Sequence, residues 1–376
     1  MSHSFAGLGL SAELTRAVSE QGYAHPTPVQ AQAIPVILSG RDVLAGAQTG
    51  TGKTAGFALP LLQRLAAHGS TSASPARHPI RALILTPTRE LAAQVGESVR
   101  TYGRYLPLRF AVIYGGVNIN PQVQALQRGV DVLVATPGRL LDHVQQKSVH
   151  LGQVQILVLD EADRMLDMGF IEDISFILSR APSYRQTSLF SATIDKTVMN
   201  VCNRYMKNPV KILVSKDEIG LTQMKQFYTV VNQSAKFDAL CTILEEEHVD
   251  RAIVFCRTRH ETSKIAEKLS RRGYNTQALH AGFTQPQRDT IVNSFRRGKL
   301  RLLIATDVAA RGLDIQGITH IINYDVPLDA LVYFHRIGRT ARMGGEGTAI
   351  TLVGYGELPE FENIKAMTKT TIEEMS

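Results

Sequence analysis

The sequence predicts an α/β protein made of two parallel-sheet domains joined by a flexible linker. Three observations predict it. Short β-branched apolar runs recur along the chain, each ends in a polar or glycine-bearing turn and leads into a helical stretch, and the series is interrupted once, just after residue 208. A chain of 376 residues that is 44% hydrophobic holds enough apolar material for about two ordinary cores.

The elements follow in order. In the first half, Asp42–Ala45, Ala82–Leu85, Phe110–Tyr114, Asp131–Ala135, Ile156–Leu159 and Thr187–Phe190 read as strands. In the second half, Ala252–Cys256, Thr276–Leu279, Leu302–Ala305, His320–Asn323 and Ala349–Val353 do so. They are four to five residues long and lack polar alternation, as strands covered on both faces should. His68–Pro79 (HGSTSASPARHP) is small, polar and proline-bearing, and reads as a surface loop. The stretch from Asn208 to Thr222 carries Pro209 and Gly220 and few packed apolar residues. This assigns domain one to 1–208, the linker to 209–222 and domain two to 223–376, with a last helix over Leu358–Met367.

Composition narrows the function classes. Lys and Arg exceed Asp and Glu, 41 to 34, a mild excess that suits a polyanionic partner without requiring one. Cys202, Cys241 and Cys256 form no C-x-x-C pair, which excludes a zinc ribbon and a disulfide framework. No apolar run approaches the length of a membrane span. The expectation is a cytoplasmic protein with no membrane association.

Two motifs carry chemistry. Ala47-Gln48-Thr49-Gly50-Thr51-Gly52-Lys53-Thr54 follows a strand and opens a helix. Its glycines allow backbone N–H groups to turn around phosphate oxygens, at the positive end of a helix dipole. Lys53 is placed for the β- and γ-phosphates and Thr54 for Mg²⁺. Ala47 stands where the general pattern has glycine, but the strand before and helix after keep the reading. About 110 residues on, the apolar strand Ile156–Leu159 runs into Asp160-Glu161-Ala162-Asp163. Carboxylates at the carboxyl end of a buried strand repel one another unless a cation or solvent answers them. Asp160 is placed to orient Mg²⁺ and Glu161 to orient or deprotonate a water.

These residues resemble the signature of the DEAD-box RNA helicases, whose other motifs occur in order over about residues 5 to 355. Within the family the chain looks most like the bacterial RhlE-type branch. The resemblance implies two RecA-like domains of P-loop NTPase type, ATP and Mg²⁺ as cofactors, and RNA-stimulated ATP hydrolysis coupled to local, non-processive unwinding. Phe5, Tyr23 and Gln30 resemble the adenine-recognition element: Gln30 has the amide to read the adenine edge, Tyr23 a ring for the base face, and Phe5 looks like a supporting aromatic, with ordinary core as the alternative. Gly312 and Asp314 resemble a ribose contact. Arg339 and Arg342 resemble arginine fingers, with Ala341 between them where glycine is common. Asp163, Ser191, Thr193 and His335 resemble the group that couples hydrolysis to RNA.

The resemblance places RNA contacts at Pro87, Thr88, Arg89, Gly115, Gly116, Thr136, Pro137, Gly138 and Arg139 in the first domain. In the second it places them at Thr258, Gly282, Gln285, Arg288 and Thr306. Hydroxyls, guanidiniums and open backbone suit phosphates rather than base edges, so binding is expected to be independent of sequence and salt-sensitive. Expected partners are RNA and ribosomal or mRNA-decay complexes, around a monomeric core. An ATP-gated RNA clamp uses the same residues; a DNA-directed motor fits the Asp-Glu-Ala-Asp form less well.

Overall fold

The computed structural model describes residues 4–47, 51–213, 224–247, 249–310, 315, 317–328, 330–340, 347–368 and 371–375. The chain divides into two compact units, Met1–Ile219 and Gly220–Ser376. Of the candidate residues, Gln48, Thr49, Gly50, Gly312, Asp314 and Arg342 lie outside the described set, as does the side chain of His335.

The first unit has seven parallel strands: β1 (Val43–Gly46), β2 (Ala82–Leu85), β3 (Phe110–Ile113), β4 (Val132–Ala135), β5 (Ile156–Asp160), β6 (Gln186–Ser191) and β7 (Val210–Leu213), in the order β3-β4-β2-β5-β6-β1-β7. Its helices are α1 (Ala12–Ser19), α2 (Pro28–Leu38), α3 (Lys53–Ala66), α4 (Arg89–Tyr102), α5 (Asn120–Gln127), α6 (Pro137–Gln145), α7 (Ala162–Asp167), α8 (Ile171–Arg180) and α9 (Lys196–Tyr205). Alternate strand residues serve opposite cores. Val43, Ile84, Val134 and Val158 join Phe57 of α3 and Val95 of α4 on one face. Leu44, Leu83, Leu133 and Leu157 join Leu140, Ile177 and Val198 from α6, α8 and α9 on the other. Both faces are covered, which is why these strands show no polar alternation. Each fully buried branched side chain contributes about 1.5–3 kcal/mol.

The second unit has β8 (Met224–Val231), β9 (Ala252–Phe255), β10 (Thr276–Leu279), β11 (Leu302–Ala305), β12 (His320–Asn323), β13 (Gly347–Gly354) and β14 (Glu373–Glu374), in the order β10-β11-β9-β12-β13-β8-β14. Its helices are α10 (Lys236–Glu246), α11 (Arg259–Arg271), α12 (Gln285–Arg296), α13 (Asp307–Ala310), α14 (Ala330–Ile337) and α15 (Leu358–Thr368). Place for place this is the strand order of the first sheet: β8 stands where β1 does, β9 where β2 does, and so on to β14 and β7.

Three strands depart from the expectation. Val210–Leu213, assigned to the linker, pairs along β1 as an edge strand; residues 214–223 lie outside the described set. Met224–Val231 (MKQFYTVV) forms β8, with polar residues interleaved because much of it is only half-buried. Glu373–Glu374 adds a two-residue edge to β8. The predicted surface loop is also anchored more deeply than its composition suggested. His78 is buried, with Nδ1 2.7 Å from Asp131 Oδ2 and Nε2 2.9 Å from the Ser72 carbonyl, while Arg81 donates to Asp131 Oδ1 at 2.6 Å.

The topological repeat puts two lysines in corresponding places. Lys53 opens α3 after β1, and Lys236 opens α10 after β8. Lys236 is wholly buried, and its Nζ lies 2.5 Å from Glu357 Oε2, 3.0 Å from the Tyr324 carbonyl and 3.8 Å from Asp325 Oδ1. The second unit has answered this cation with its own oxygens. Lys236→Met should therefore strand two carboxylates and destabilise the second unit by about 3–5 kcal/mol. Hydrogen exchange along α10 and β12 of the whole chain measures this; unchanged protection contradicts it.

Candidate nucleotide site and nucleic-acid edge

The first sheet presents all its strand carboxyl ends along one edge. β1 ends at Gly46, and the chain re-enters description at Thr51, with Gly52 at φ +84° just before α3. Glycine is required there twice over: the left-handed backbone disfavours a side chain, and a Cβ would lie 2.4 Å from Gln30 Nε2. The turn delivers Lys53 to the first position of a 14-residue helix. Its Nζ is buried and has no hydrogen-bond partner among the described residues. A buried, unpaired ammonium at a helix N-terminus fits a phosphate.

β5 delivers the acidic residues. Asp160 is 2% exposed, and its Oδ1 has no partner among the described residues. Burial pushes its carboxyl up to about 7; nearby Lys53 opposes the rise, and Glu161 and Asp163 add to it. A divalent cation would favour the ionised form, so the donor fits Mg²⁺, with the Thr54 hydroxyl as second candidate ligand.

Glu161 sits at φ +53°, ψ +51°, a left-handed conformation that costs a residue with a side chain about 1–3 kcal/mol. This turn swings the chain from β5 into α7. The Glu161 carboxylate accepts from Arg164 Nη1 at 2.6 Å, with both side chains about 5% exposed. The sequence reading missed Arg164; its only signal was an arginine three residues after the glutamate, at the start of a helix.

Asp163 faces the next strand. Its Oδ2 accepts from the backbone N–H of Ala192 (3.1 Å) and of Thr193 (2.9 Å) and from the Thr193 hydroxyl (3.1 Å). Its own N–H donates to Ser191 Oγ at 3.2 Å. The structure thus brings Asp163, Ser191 and Thr193 together.

The adenine-element residues lean on the phosphate loop. Thr27 and Gln30 form a capping box at the start of α2, with Gln30 Oε1 accepting from the Thr27 N–H at 2.9 Å. Gln30 Nε2 donates to the Gly52 carbonyl at 3.0 Å, and Thr27 Oγ1 donates to the Thr51 carbonyl at 2.8 Å. The Gln30 amide therefore braces the loop, and retains one N–H and one lone pair for a base edge. Tyr23 and Tyr102 share a hydroxyl contact of 3.1 Å. Phe5 is 4% exposed within the core, which favours its packing reading.

The first-unit RNA-motif residues gather at the other half of the same edge. Pro87, Thr88 and Arg89 follow β2, Gly115 and Gly116 follow β3, and Thr136 through Arg139 follow β4. These three strands are neighbours in register, Leu85 with Ala135 and Ala135 with Ile113. Thr88 and Thr136 stand at the N-caps of α4 and α6; the Thr88 hydroxyl accepts from the Leu91 N–H, and Pro137 opens α6. A Cβ on Gly116 would overlap the Arg89 guanidinium, so glycine lets that cation lie against the loop. Arg139 pairs with Asp142 at 3.3 Å and donates to the Val117 carbonyl.

The second unit repeats the layout. Thr258 caps α11 after β9, Gly282 and Gln285 follow β10, and Thr306 follows β11. Arg288, on α12, donates to the Ala309 carbonyl. Asp307 takes a two-pronged pair from Arg336 at 2.7 and 2.8 Å, tying this edge to α14, where Arg339 follows as a buried residue.

A phosphate-type loop and a buried aspartate at the carboxyl edge of a parallel sheet, with the sheet order repeated in a second unit, define a nucleotide-hydrolysing protein of the RecA-like class. Comparison with known proteins narrows this to a family. Residues 27–201 match the DEAD/DEAH box helicase model, and residues 235–344 match the helicase conserved C-terminal domain model. The DEAD-box ATP-dependent RNA helicase CshA of Bacillus cereus (strain ATCC 10987 / NRS 248) is 43% identical over 99% of this chain and 69% of its own length. CshA of Bacillus subtilis (strain 168) is 42% identical over 100% and 74%. The chain also superposes on S. cerevisiae Dbp5 bound to RNA and ADP BeF3, with a TM-score of 0.88, 31% identity, and coverage of 100% of this chain and 96% of that one. Mss116p bound to ssRNA and AMP-PNP gives 0.86 and 29%, covering 100% and 80%. The chain belongs to the DEAD-box ATP-dependent RNA helicases. These relatives carry the CshA name and support the family rather than the RhlE-type branch.

The Gly52 contact gives a direct test of the loop. Gly52→Ala should keep the fold and weaken ATP binding by about tenfold, or about 1.4 kcal/mol. Titration with a fluorescent ATP analogue measures it, and wild-type affinity would contradict the cradle.

Proposed function

We propose that this helicase couples ATP hydrolysis at the β1–β5–β6 half of the first sheet edge to local, non-processive opening of RNA duplexes and remodelling of RNA–protein complexes held at the β3–β4–β2 half. The observation that carries this is the shared edge: Leu85 of β2 is in register with Leu159, one residue before Asp160. A change in the acidic turn therefore acts next door to the RNA-motif loops. Asp163 supplies the mechanical link, since its contacts with Ala192 and Thr193 join the acidic turn to the segment after β6.

In this reading Lys53 neutralises charge on the β- and γ-phosphates, and Thr54 with Asp160 would hold Mg²⁺, which would supply positive charge to offset the charge developing on the transferred phosphoryl group. Glu161 orients or deprotonates the attacking water. Arg164 positions that carboxylate, and its hold must loosen or share the group when water is engaged. Tyr23 and Gln30 read adenine. By resemblance, Gly312 and Asp314 take the ribose, Arg339 and Arg342 serve as arginine fingers worth about 10³–10⁵ in rate, and His335 joins the coupling group. Turnover then requires both units. Thr258, Gly282, Gln285, Arg288 and Thr306 extend the RNA contact into the second unit. No helix among the described residues is long and apolar enough to cross a membrane. A cytoplasmic monomeric core acting on ribosomal or mRNA-decay RNA is the setting we infer.

Two substitutions test the assignments. Glu161→Gln keeps the size and loses basicity, so ATP and RNA affinities should hold while RNA-stimulated turnover nearly stops. Near wild-type phosphate release would remove Glu161 from the mechanism. Gln30→Ala should cost about 1–3 kcal/mol of the preference for ATP over GTP. Competition titrations measure the ratio, and an unchanged ratio would leave Gln30 with its capping and bracing role alone.

A further inference from the structure

The opposite edge of the first sheet holds a second charged concavity. Where β1, β5, β6 and β7 begin, a cavity of about 720 Å³ is lined by Arg41, Arg64, Arg185 and Lys207, with Tyr184 and Gln155 on the same wall. It lies at the amino ends of strands whose carboxyl ends carry the nucleotide loop and the acidic turn, so it is separate from the site described above. None of the four cations forms an ion pair with a carboxylate among the described residues. The one acidic residue in the lining, Asp42, is buried and already committed: Oδ1 accepts from the Thr187 N–H at 2.8 Å and Oδ2 from the Lys207 N–H at 2.6 Å.

Two of the cations, Arg185 and Arg64, are built into the wall, while Arg41 and Lys207 stand exposed at its rim. Arg185 is 7% exposed; its Nη1 donates to the carbonyls of Ala181 (3.2 Å) and Pro182 (2.9 Å), and its Nε has no partner. Arg64 is half-buried, held by Gln186 Oε1, and Gln186 in turn donates to the carbonyls of Ile37 and Arg41. Burial lowers the pKa of both guanidiniums, and at Arg185 the nearby Asp42 and Tyr205 oppose the fall. Desolvated guanidiniums in no direct ion pair, with one committed carboxylate among four cations, favour the entry of an anion. A concave wall of one sign also concentrates anions.

We propose that this cavity is a second phosphate-binding site that takes a nucleotide of single-stranded RNA, the phosphate among the four cations and the base on Tyr184. Phosphate is the anion best matched by several guanidiniums. The Tyr184 ring is 74% exposed beside those charges, the pairing of aromatic platform and basic groove by which single strands are held without sequence preference. The Gln155 amide can donate to or accept from a base or a 2′-hydroxyl. The site would tether a strand at a distance from the helicase edge.

The chain contains no tryptophan, so Tyr184→Trp in the whole protein creates a single indole reporter at the site. Titration with a 5′-phosphorylated oligouridine should quench it saturably, and inorganic phosphate should compete. AMP as a parallel arm separates the sources: quenching by AMP as strong as by the oligonucleotide assigns a mononucleotide phosphate, quenching by the oligonucleotide alone assigns an RNA strand, and both support the site. Arg41 and Lys207 are exposed, so Ala substitutions there should leave the fold intact. In the reporter background each should lower the slope of log affinity against log salt by about 1. RNA-stimulated ATPase with a short RNA should stay at the wild-type level in the double variant, which separates this test from that of the helicase edge. Quenching unchanged in the double variant, no quenching by any phosphate, a response to polyglutamate alone, or a parallel loss of ATPase would each overturn the proposal.

Discussion

Three carboxylates within four residues, all nearly buried, set the terms for the first unit. Asp160, Glu161 and Asp163 cannot share one low-dielectric turn as bare charges. The fold sends each in a different direction. Asp160 stays in line with β5 and faces the field of Lys53. Glu161, in a left-handed turn, points to Arg164. Asp163 reaches the backbone and hydroxyl donors after β6. The strained backbone at Glu161 is what makes three separate answers possible, since a regular continuation would not separate the three side chains in this way. The chemistry proposed for the site follows from that separation into a metal ligand, a base and a link.

The second unit shows the same architecture with the opposite outcome. Between β1 and Lys53 lie six residues including a left-handed glycine; between β8 and Lys236 lie four, Asn232-Gln233-Ser234-Ala235, with none. Lys53 keeps a buried ammonium without a partner among the described residues, while Lys236 is enclosed by Glu357, Asp325 and a carbonyl. One scaffold therefore yields the proposed phosphate site where the connection is longer and its cation has no partner among the described residues, and a structural ion pair where the connection is short and the cation is neutralised. The β9–β10–β11 half has not diverged in this way. Its threonines and glycine still stand at strand ends and helix caps, as they do in the first unit.

Gln30 shows how a single side chain serves two levels at once. As N3 of α2 it closes a capping box, a local interaction worth about 1 kcal/mol. As a donor to Gly52 it joins the adenine-element helix to the phosphate loop, 22 residues further on. The proposed adenine and phosphate contacts are thereby mechanically connected, because a shift of α2 moves the loop carbonyl that the amide holds.

The class of fold, eleven of the strands and the composition of the two edges were legible in the residues alone, because those features are local: an apolar run, a turn, a cap and a charge a few residues apart. The sequence also carried the family, since the motifs are contiguous words. It did not reveal β7 or β14, whose residues gain strand character only by pairing with β1 and β8, or β8, where polar residues interleave with apolar ones. Nor could it show that Arg164 grips Glu161 or that Lys236 is enclosed by carboxylates more than 80 residues away. The basic cavity is the clearest case. Arg41, Arg64, Arg185 and Lys207 are dispersed along the chain and individually unremarkable, and only the crossing of parallel strands brings their charges to one wall. Electrostatic meaning depends on separation in space, and in a parallel sheet every neighbouring strand is reached through a long crossover, so spatial neighbours are distant in sequence.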